Sequence, residues 1–280
     1  MHDIFFFTDI HGNGQLYDAI MAYCKKLDPE AMIVFGGDAI DRGSDGYRIM
    51  KELLNNPHVL YLKGNHEDIF CKAAREIKQL FNFDGADKER IHKVLNACKY
   101  FDYKYEAIQN SLYNGGLETL TDWVMDSMPM DLIKKVEELP LTFSYENIDI
   151  CHAGGVYKTF QAAAEAEYYD YEMDPYIHDS IIWNRTGLNL GWAPNRIAIF
   201  GHTPIQFLPE YTDVKFPQDM EVQPVMYEST TIPELSGKKL DMDVCTIASN
   251  RAYVINILTM IAKGFELEND EVKEIECIQF

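Results

Sequence analysis

Between residues 4 and 67 the chain repeats one pattern three times: a short apolar run, then a glycine-edged cluster of acidic, basic or imidazole side chains. Ile4-Phe5-Phe6-Phe7 leads to Thr8-Asp9-Ile10-His11-Gly12. Residues 31–35 lead to Gly36-Gly37-Asp38-Ala39-Ile40-Asp41-Arg42-Gly43, and residues 58–62 lead to Lys63-Gly64-Asn65-His66-Glu67. Between these runs Leu16, Ile20, Tyr23 and Leu27, then Tyr47, Met50, Leu53 and Leu54, recur at helical spacing. Asp28-Pro29 and Asn55-Asn56-Pro57 stop the two helices. The order β-α-β-α-β predicts a parallel sheet with crossover helices. In an open α/β sheet the carboxyl ends of the strands converge on one crevice, where ligands bind. An unpaired buried carboxylate neutralises or binds a cation, so Asp and Arg at these strand ends are poor core material and mark that crevice.

The pattern then changes. Residues 67–81 and 87–110 read as long helices separated at Asp84-Gly85, and two more are expected at 116–126 and 130–138, after Asn114-Gly115-Gly116. The stretch at about 68–138 reads as a helical insertion, either capping the crevice and contributing to substrate choice or packed on the flank of the sheet. Residues 141–145 and 148–151 suggest a hairpin that ends in Cys151-His152-Ala153-Gly154-Gly155. A tyrosine-rich acidic segment containing Tyr168-Tyr169-Asp170-Tyr171 precedes Trp183-Asn184-Arg185, and a strand at 196–200 ends in Gly201-His202-Thr203-Pro204. Residues 205–239 read as irregular, and strands at 240–248, 253–258 and 264–279 are expected to complete a second sheet. No linker divides the chain, so a single domain over 1–280 is expected.

Composition narrows the function. A net charge of −20 argues against nucleic-acid binding, which needs clustered Lys and Arg. No apolar run reaches the length of a membrane span. The start of the chain is strand-like, with no basic segment, so no signal peptide is expected. Six scattered cysteines without a C-x-x-C pair fit reduced thiols, and a cytoplasmic location is expected.

The strand-end residues have the composition of a paired-cation centre. Two metal ions about 3.5–4 Å apart can activate water and clamp phosphate oxygens, and one carboxylate can bridge them. Asp9, His11 and Asp38 would hold one ion, and Asp38, Asn65, His152 and His202 the other, with Asp38 shared. Mixed imidazole and carboxylate donors suit Mn, Fe or Zn, with Mn taken first. His66 is left to protonate a leaving oxygen, and Asp41 is placed to hold its cationic form. The planar fork of Arg42 matches phosphate oxygens bidentately.

D-x-H-G, G-D-x-x-D-R-G, G-N-H-E, H-A-G and G-H-T, in this order from Thr8 to Pro204, resemble the PPP-type, calcineurin-like metallophosphoesterases. That group includes bacterial serine/threonine phosphatases and diadenosine tetraphosphate hydrolases. The resemblance implies an α/β fold of four layers, a β-sandwich flanked by helices, with a dinuclear centre and the ligand roles above. It also implies a second phosphate-binding arginine, matched by Arg185. The family's D-T-G…G-G-x-L pattern is poorly matched by Asp241-Met242-Asp243-Val244-Cys245 and Ser249-Asn250-Arg251-Ala252. The expected activity is hydrolysis of phosphomonoesters, in proteins or small phosphoesters, with phosphoserine and phosphothreonine first. Symmetrical cleavage of dinucleoside tetraphosphates is the alternative, and a non-catalytic metal-binding scaffold a remote one. The retained Asp41 favours the phosphatase.

Overall fold

β1 (Ile4–Phe7), α1 (Gly14–Leu27), β2 (Met32–Phe35), α2 (Gly46–Asn55) and β3 (Val59–Tyr61) form the anticipated unit, with the three strands parallel and adjacent. The computed structural model describes residues 2–100, 104–165, 175–212, 214–216, 222–228 and 235–280. Successive strand side chains point to opposite faces. Phe5 and Phe7 therefore enter one core with Ile33 and Phe35, while Ile4 and Phe6 enter another with Val34. Both faces of these strands are covered, which is why they are apolar throughout.

The first core is closed by α1 and α2 together with α3 (Asn65–Leu80), α4 (Lys88–Ala97), α5 (Glu106–Tyr113), α6 (Leu117–Met125) and α7 (Met130–Glu137). Phe70, Ile77, Leu95, Ile108, Trp123 and Ile133 are the main apolar contributions of α3–α7. The turn between α5 and α6 reaches the crevice: the Arg42 amide donates to the Gly115 carbonyl (3.0 Å), and the Asp41 amide to Thr119 Oγ1 (3.1 Å). The single helix expected over 87–110 is in fact two. A 3-10 turn (Cys98–Tyr100) follows α4, and Glu76 of α3 caps the first turn of α5 by accepting from the Ile108 amide at 2.9 Å.

β4 (Thr142–Tyr145) and β5 (Ile148–Cys151) form the expected hairpin. Two helices that the sequence reading missed follow, α8 (Tyr157–Glu165) and α9 (Pro175–Ile182). They cover the outer face of the second sheet through Phe160, Ala163, Ile181 and Ile182, packed against Cys151 and Trp192. The tyrosine run at 168–171 lies outside the described residues. Next come β6 (Trp192–Phe200), α10 (Leu208–Tyr211) and β7 (Val225–Tyr227), then β8 (Ser236–Asp241), α11 (Thr246–Ser249), β9 (Arg251–Asn256), β10 (Ile261–Glu268) and β11 (Glu271–Gln279). Residues 205–239 are thus not wholly irregular. The strand expected at 240–248 begins at Ser236 and stops at Asp241, ahead of a left-handed Cys245. The strand expected at 264–279 is a hairpin, turned at Asn269 (φ 53°) and Asp270 (φ 62°).

The two sheets run β11-β10-β9-β1-β2-β3 and β4-β5-β6-β8-β7. The last three strands therefore extend the first sheet rather than the second: β9 pairs antiparallel with β1, on the edge that β2 leaves open. Ile148, Ile150, Ile199 and Leu240 of one sheet meet Ile4, Phe6, Val34 and Ile255 of the other in the central core. The layers are helix, sheet, sheet, helix, which is the four-layer α/β sandwich expected. Among the described residues no helix is long and apolar enough to cross a membrane.

Candidate metal centre

The carboxyl ends of β1, β2, β3, β5, β6 and β8 all open on one side of the sandwich, and the polar clusters follow them directly. Asp9, His11, Asp38, Asn65, His66, His152 and His202 are each at most 5% exposed, and Asp41 is fully buried. Asp38 stands at the centre. Its Oδ2 lies 3.6 Å from His11 Nε2 and 3.8 Å from His66 Nε2, and its Oδ1 lies 3.4 Å from His152 Nε2. Two groups with metal-ligand spacing share it, His11–Asp38–His66 and Asp38–His152–His202. Asn65 joins the second: its Oδ1 is 3.1 Å from His152 Nε2 and 2.9 Å from His202 Nδ1. Asp9 flanks the pair, its carboxylate accepting from the His202 amide (3.2 Å) and from the Thr8 hydroxyl (2.6 Å).

The histidine tautomers suit cation binding. A backbone carbonyl can only accept, so the ring nitrogen beside it carries the proton. His11 Nδ1 faces the Ile40 carbonyl (3.1 Å), His152 Nδ1 that of Gly36 (2.8 Å), and His202 Nε2 that of Trp183 (3.2 Å). The other ring nitrogen of each points toward Asp38 or Asn65, where it would give up any proton to a cation, the arrangement in which a backbone group orients a ligating imidazole. The donor set of buried carboxylates, an amide oxygen and imidazoles fits a transition metal.

Charge separates the members of the cluster. Burial pushes the Asp9 carboxyl well above the usual range, with Asp243 and Asp38 adding to it. Burial also raises Asp38, yet His152, His66 and His11 together hold it well below. His152 is buried as well, but Asp38, Asp9 and Glu67 lift it to about 10. Burial and neighbouring cationic groups hold His11 and His202 well below the normal histidine range.

His66 is built differently. Its Nδ1 faces Asp41 Oδ2 at 2.8 Å, and its Nε2 faces Arg42 Nη2 at 3.1 Å. Although burial lowers it, Asp38 and Asp41 raise its pKa above the normal value. The other arm of the Arg42 fork, Nη1, donates to His11 Nε2 at 2.9 Å. Arg185 reaches the same rim. Its Nη2 donates to the His202 carbonyl at 3.3 Å, and its guanidinium stands 5.9 Å from the Tyr211 ring centre. The structure thus brings all ten sequence-selected residues to one crevice. Gly37 (φ +98°) permits this, because a Cβ there would lie 2.6 Å from the Gly64 amide and 2.9 Å from His152 Nδ1.

Two buried residues of the site received no role in the sequence reading. Glu67, fully buried, accepts from the amides of Asp38 (2.8 Å), Gly64 (2.9 Å) and Ala39 (2.9 Å) and from the Tyr61 hydroxyl (2.7 Å). Asp243 lies just beyond β8, and burial pushes it up to about 6, with Arg42 and His152 drawing it down and Asp38 driving it up. An acidic residue just past a strand, set between the apolar Met242 and Val244, was the signal that could have found it. Cys245, two residues on, holds φ 57°, and Asn250 holds φ 55°. The D-V-C…S-N stretch therefore keeps a glycine-like backbone although its residues depart from D-T-G…G-G.

A profile of the family described as calcineurin-like phosphoesterase matches residues 2–216. No curated protein matches the chain. Among solved structures, the chain is similar to a metallophosphoesterase from Sphaerobacter thermophilus (TM-score 0.44, 12% identity, 98% of this chain and 88% of that one). It is also similar to a protein serine/threonine phosphatase from Saccharomyces cerevisiae (TM-score 0.44, 14% identity, 100% and 81%). A third is a cold-active protein-tyrosine phosphatase from a Shewanella species (TM-score 0.46, 13% identity, 99% and 81%).

Proposed function

The chain belongs to the calcineurin-like phosphoesterase family, and from that premise we propose that it is a metal-dependent phosphatase acting on phosphomonoesters, with phosphoserine and phosphothreonine in proteins as its substrates. The observation that carries this reading is the pairing of His66 Nδ1 with Asp41 Oδ2 at 2.8 Å, beside the Arg42 fork. A serine or threonine alkoxide is a poor leaving group and needs a proton in the transition state. A nucleotide released from an anhydride leaves as a stable anion and gains far less from an acid. A buried histidine paired through Nδ1 with a carboxylate is therefore better matched to the ester.

Asp9, His11, Asp38, Asn65, His152 and His202 would hold two cations, Mn first and Fe or Zn as alternatives, with Asp38 between them. When bound, such a pair supplies charge neutralisation for the phosphate oxygens and an activated water. Arg42 binds two of those oxygens through its fork, and Arg185 approaches from the His202 side. His66 gives its proton to the departing oxygen, and Asp41 stabilises the imidazolium before transfer. Glu67 fixes the turns that carry Asp38 and Asn65. Residues 1–280 act as one domain in this reading, and the insertion at about 68–138 braces Asp41 and Arg42 through Thr119 and Gly115. All six cysteines are free and four are buried, which supports a cytoplasmic location.

The test is a competition panel with Mn added to metal-stripped protein: phosphoserine, phosphothreonine and phosphotyrosine peptides against diadenosine tetraphosphate. Preferential release of phosphate from the serine and threonine peptides is expected. Preferential cleavage of the dinucleotide would replace the proposal with the anhydride reading, and inertness toward all four with the scaffold reading.

A further inference from the structure

Lys239 has no part in the chemistry above, yet it is the only fully buried lysine among the described residues (0% exposed). It sits in β8, its Nζ 5.6 Å from the Trp192 ring centre, and it faces backbone carbonyls rather than a carboxylate. Nζ lies 2.8 Å from the Gly187 oxygen, 3.3 Å from that of Gly155 and 3.4 Å from that of Gly154. An ammonium has three donors, and here all three are used. Gly154 and Gly155 belong to the loop that carries His152, and Gly187 closes the loop that carries Arg185.

These loops approach backbone to backbone. A Cβ on Gly187 would lie 2.9 Å from the Gly155 oxygen, so no side chain fits between them. Their carbonyl dipoles converge on one point and repel one another unless a cationic or multiply donating group stands there. The Gly187 oxygen keeps a bond from the Leu190 amide (3.1 Å), but unpaired buried carbonyls at Gly154 and Gly155 would be costly, so without Nζ the loops would be driven apart. We infer that Lys239 is a positioning residue, which fixes the separation of the His152 and Arg185 loops and thereby sets the affinities for the second cation and for phosphate without touching either. The inference rests on the proposed roles of His152 as ligand and Arg185 as clamp.

The test uses the full-length protein, titrated with Mn2+ from the metal-free state and then with inorganic phosphate. Lys239→Met keeps the stem and removes the donors. It is expected to melt cooperatively and to bind the first Mn2+ normally, with the second Mn2+ and phosphate each weakened about tenfold or more. Lys239→Arg, which retains donors and charge, is expected to recover part of the loss, and Lys238→Met, at the exposed neighbouring position, to behave as wild type. Gly187→Ala pushes the loops apart with Lys239 intact and is expected to reproduce the Lys239→Met result. Second-cation and phosphate affinities within about twofold of wild type in Lys239→Met would overturn the inference. Should that variant lack a cooperative melt, Gly187→Ala decides on the same criterion. His152→Ala and Arg185→Ala run alongside. If these lose affinity while Lys239→Met and Gly187→Ala do not, only the role of Lys239 fails; if they too bind normally, the reading of the site fails and the inference with it.

Discussion

Glu67→Gln probes how the metal-binding turns are held, because it changes charge and hydrogen bonding with almost no change in shape. The carboxylate accepts four bonds, two at each oxygen: Asp38 and Gly64 amides at Oε2, the Ala39 amide and the Tyr61 hydroxyl at Oε1. A glutamine has one acceptor oxygen. Its least costly orientation turns the amide nitrogen toward Ala39 and Tyr61, since the tyrosine hydroxyl can rotate to accept while the Ala39 amide cannot. Two buried N–H groups are then unpaired, that of Ala39 and the second of the glutamine amide, at about 1–3 kcal/mol each, and two charge-assisted bonds become neutral ones, losing roughly 1 kcal/mol each. Neutralisation also relieves the burial and the Asp38 repulsion that raise the Glu67 pKa, which offsets part of the loss. The net destabilisation is expected at about 3–6 kcal/mol, read as a drop in urea-unfolding free energy at unchanged slope. Mn2+ affinity is expected to fall about 10–100-fold, because the amides that shape the Asp38 turn lose their anchor. Tyr61→Phe removes one bond and is expected to cost about 0.5–1.5 kcal/mol. A Glu67→Gln protein within about 0.5 kcal/mol of wild type would refute the argument, as would equal losses in the two variants.

Asp38→Asn is expected to weaken cation binding and abolish nearly all turnover; full activity in the metal-loaded variant would remove the shared-ligand role. His66→Asn is expected to retain both cations and to slow alkyl phosphates by about 10²–10⁴-fold while slowing activated aryl phosphates far less, and equal slowing of the two would contradict a leaving-group acid. Arg42→Ala is expected to raise KM and the phosphate inhibition constant roughly 10–100-fold, the equivalent of one bidentate charged contact; unchanged values of both would exclude the clamp. Burial pushes Lys239 down to about 7, with Cys151 the titratable group acting on it and itself pushed up to about 12. Between about pH 7 and the unfolded value near 10.4 the unfolded chain binds more protons at this lysine, so stability rises with pH. The wild-type minus Lys239→Met unfolding free energy is therefore expected to climb by up to roughly 1.4 kcal/mol per pH unit from about pH 7 to 8, below the unfolded thiol pKa of about 8.5 at which Cys151 begins to act in the opposite sense. A flat difference would place the charge elsewhere.

The elements that sequence revealed are those whose evidence is local. β1 and β2 declare themselves by four consecutive apolar residues, and α1 and α2 by helical spacing and a following stop. What escaped depends on distant partners. That β9 pairs with β1, through Phe5 and Asn256, is decided by which sheet edge is open and cannot be read from residues 251–256. The β10–β11 turn was hidden because Asn269-Asp270 sits inside a run of charges that masks the strand alternation. Lys239 reads locally as half of an exposed lysine pair, and only the two loops meeting above β8 enclose it. Within the crevice, the residues with chemical character were visible from their strand-end positions, except Arg185, which follows α9 and was matched only through the family resemblance. Glu67 lacked a role because its four donors are spread over Asp38, Ala39, Tyr61 and Gly64.

The backbone of the crevice explains why its motifs violate local preference. Asp9, His11, Asp38, Asp41, Arg42 and His202 all hold positive φ, between 46° and 69°. Each such residue costs on the order of 1 kcal/mol relative to glycine. Glycine would remove the strain and with it the side chains of Asp9, His11, Asp38 and His202, so the strain has to be sustained by the surroundings. The loops after β1 and β2 do this for each other: the Asp9 amide donates to Gly37 (3.1 Å), His11 to Asp38 (3.0 Å), Gly12 to Ala39 (2.8 Å), and Gly43 back to His11 (2.9 Å). Neither loop could hold this shape alone. Side chains that would relax in isolated loops are fixed by a backbone ladder between two strand ends, and the left-handed turns direct them into a common space. The glycines in these motifs, Gly12 and Gly37 among them, stand beside the functional residues rather than in their places, because the chemistry needs the side chains and the fold supplies the bonds that keep them strained.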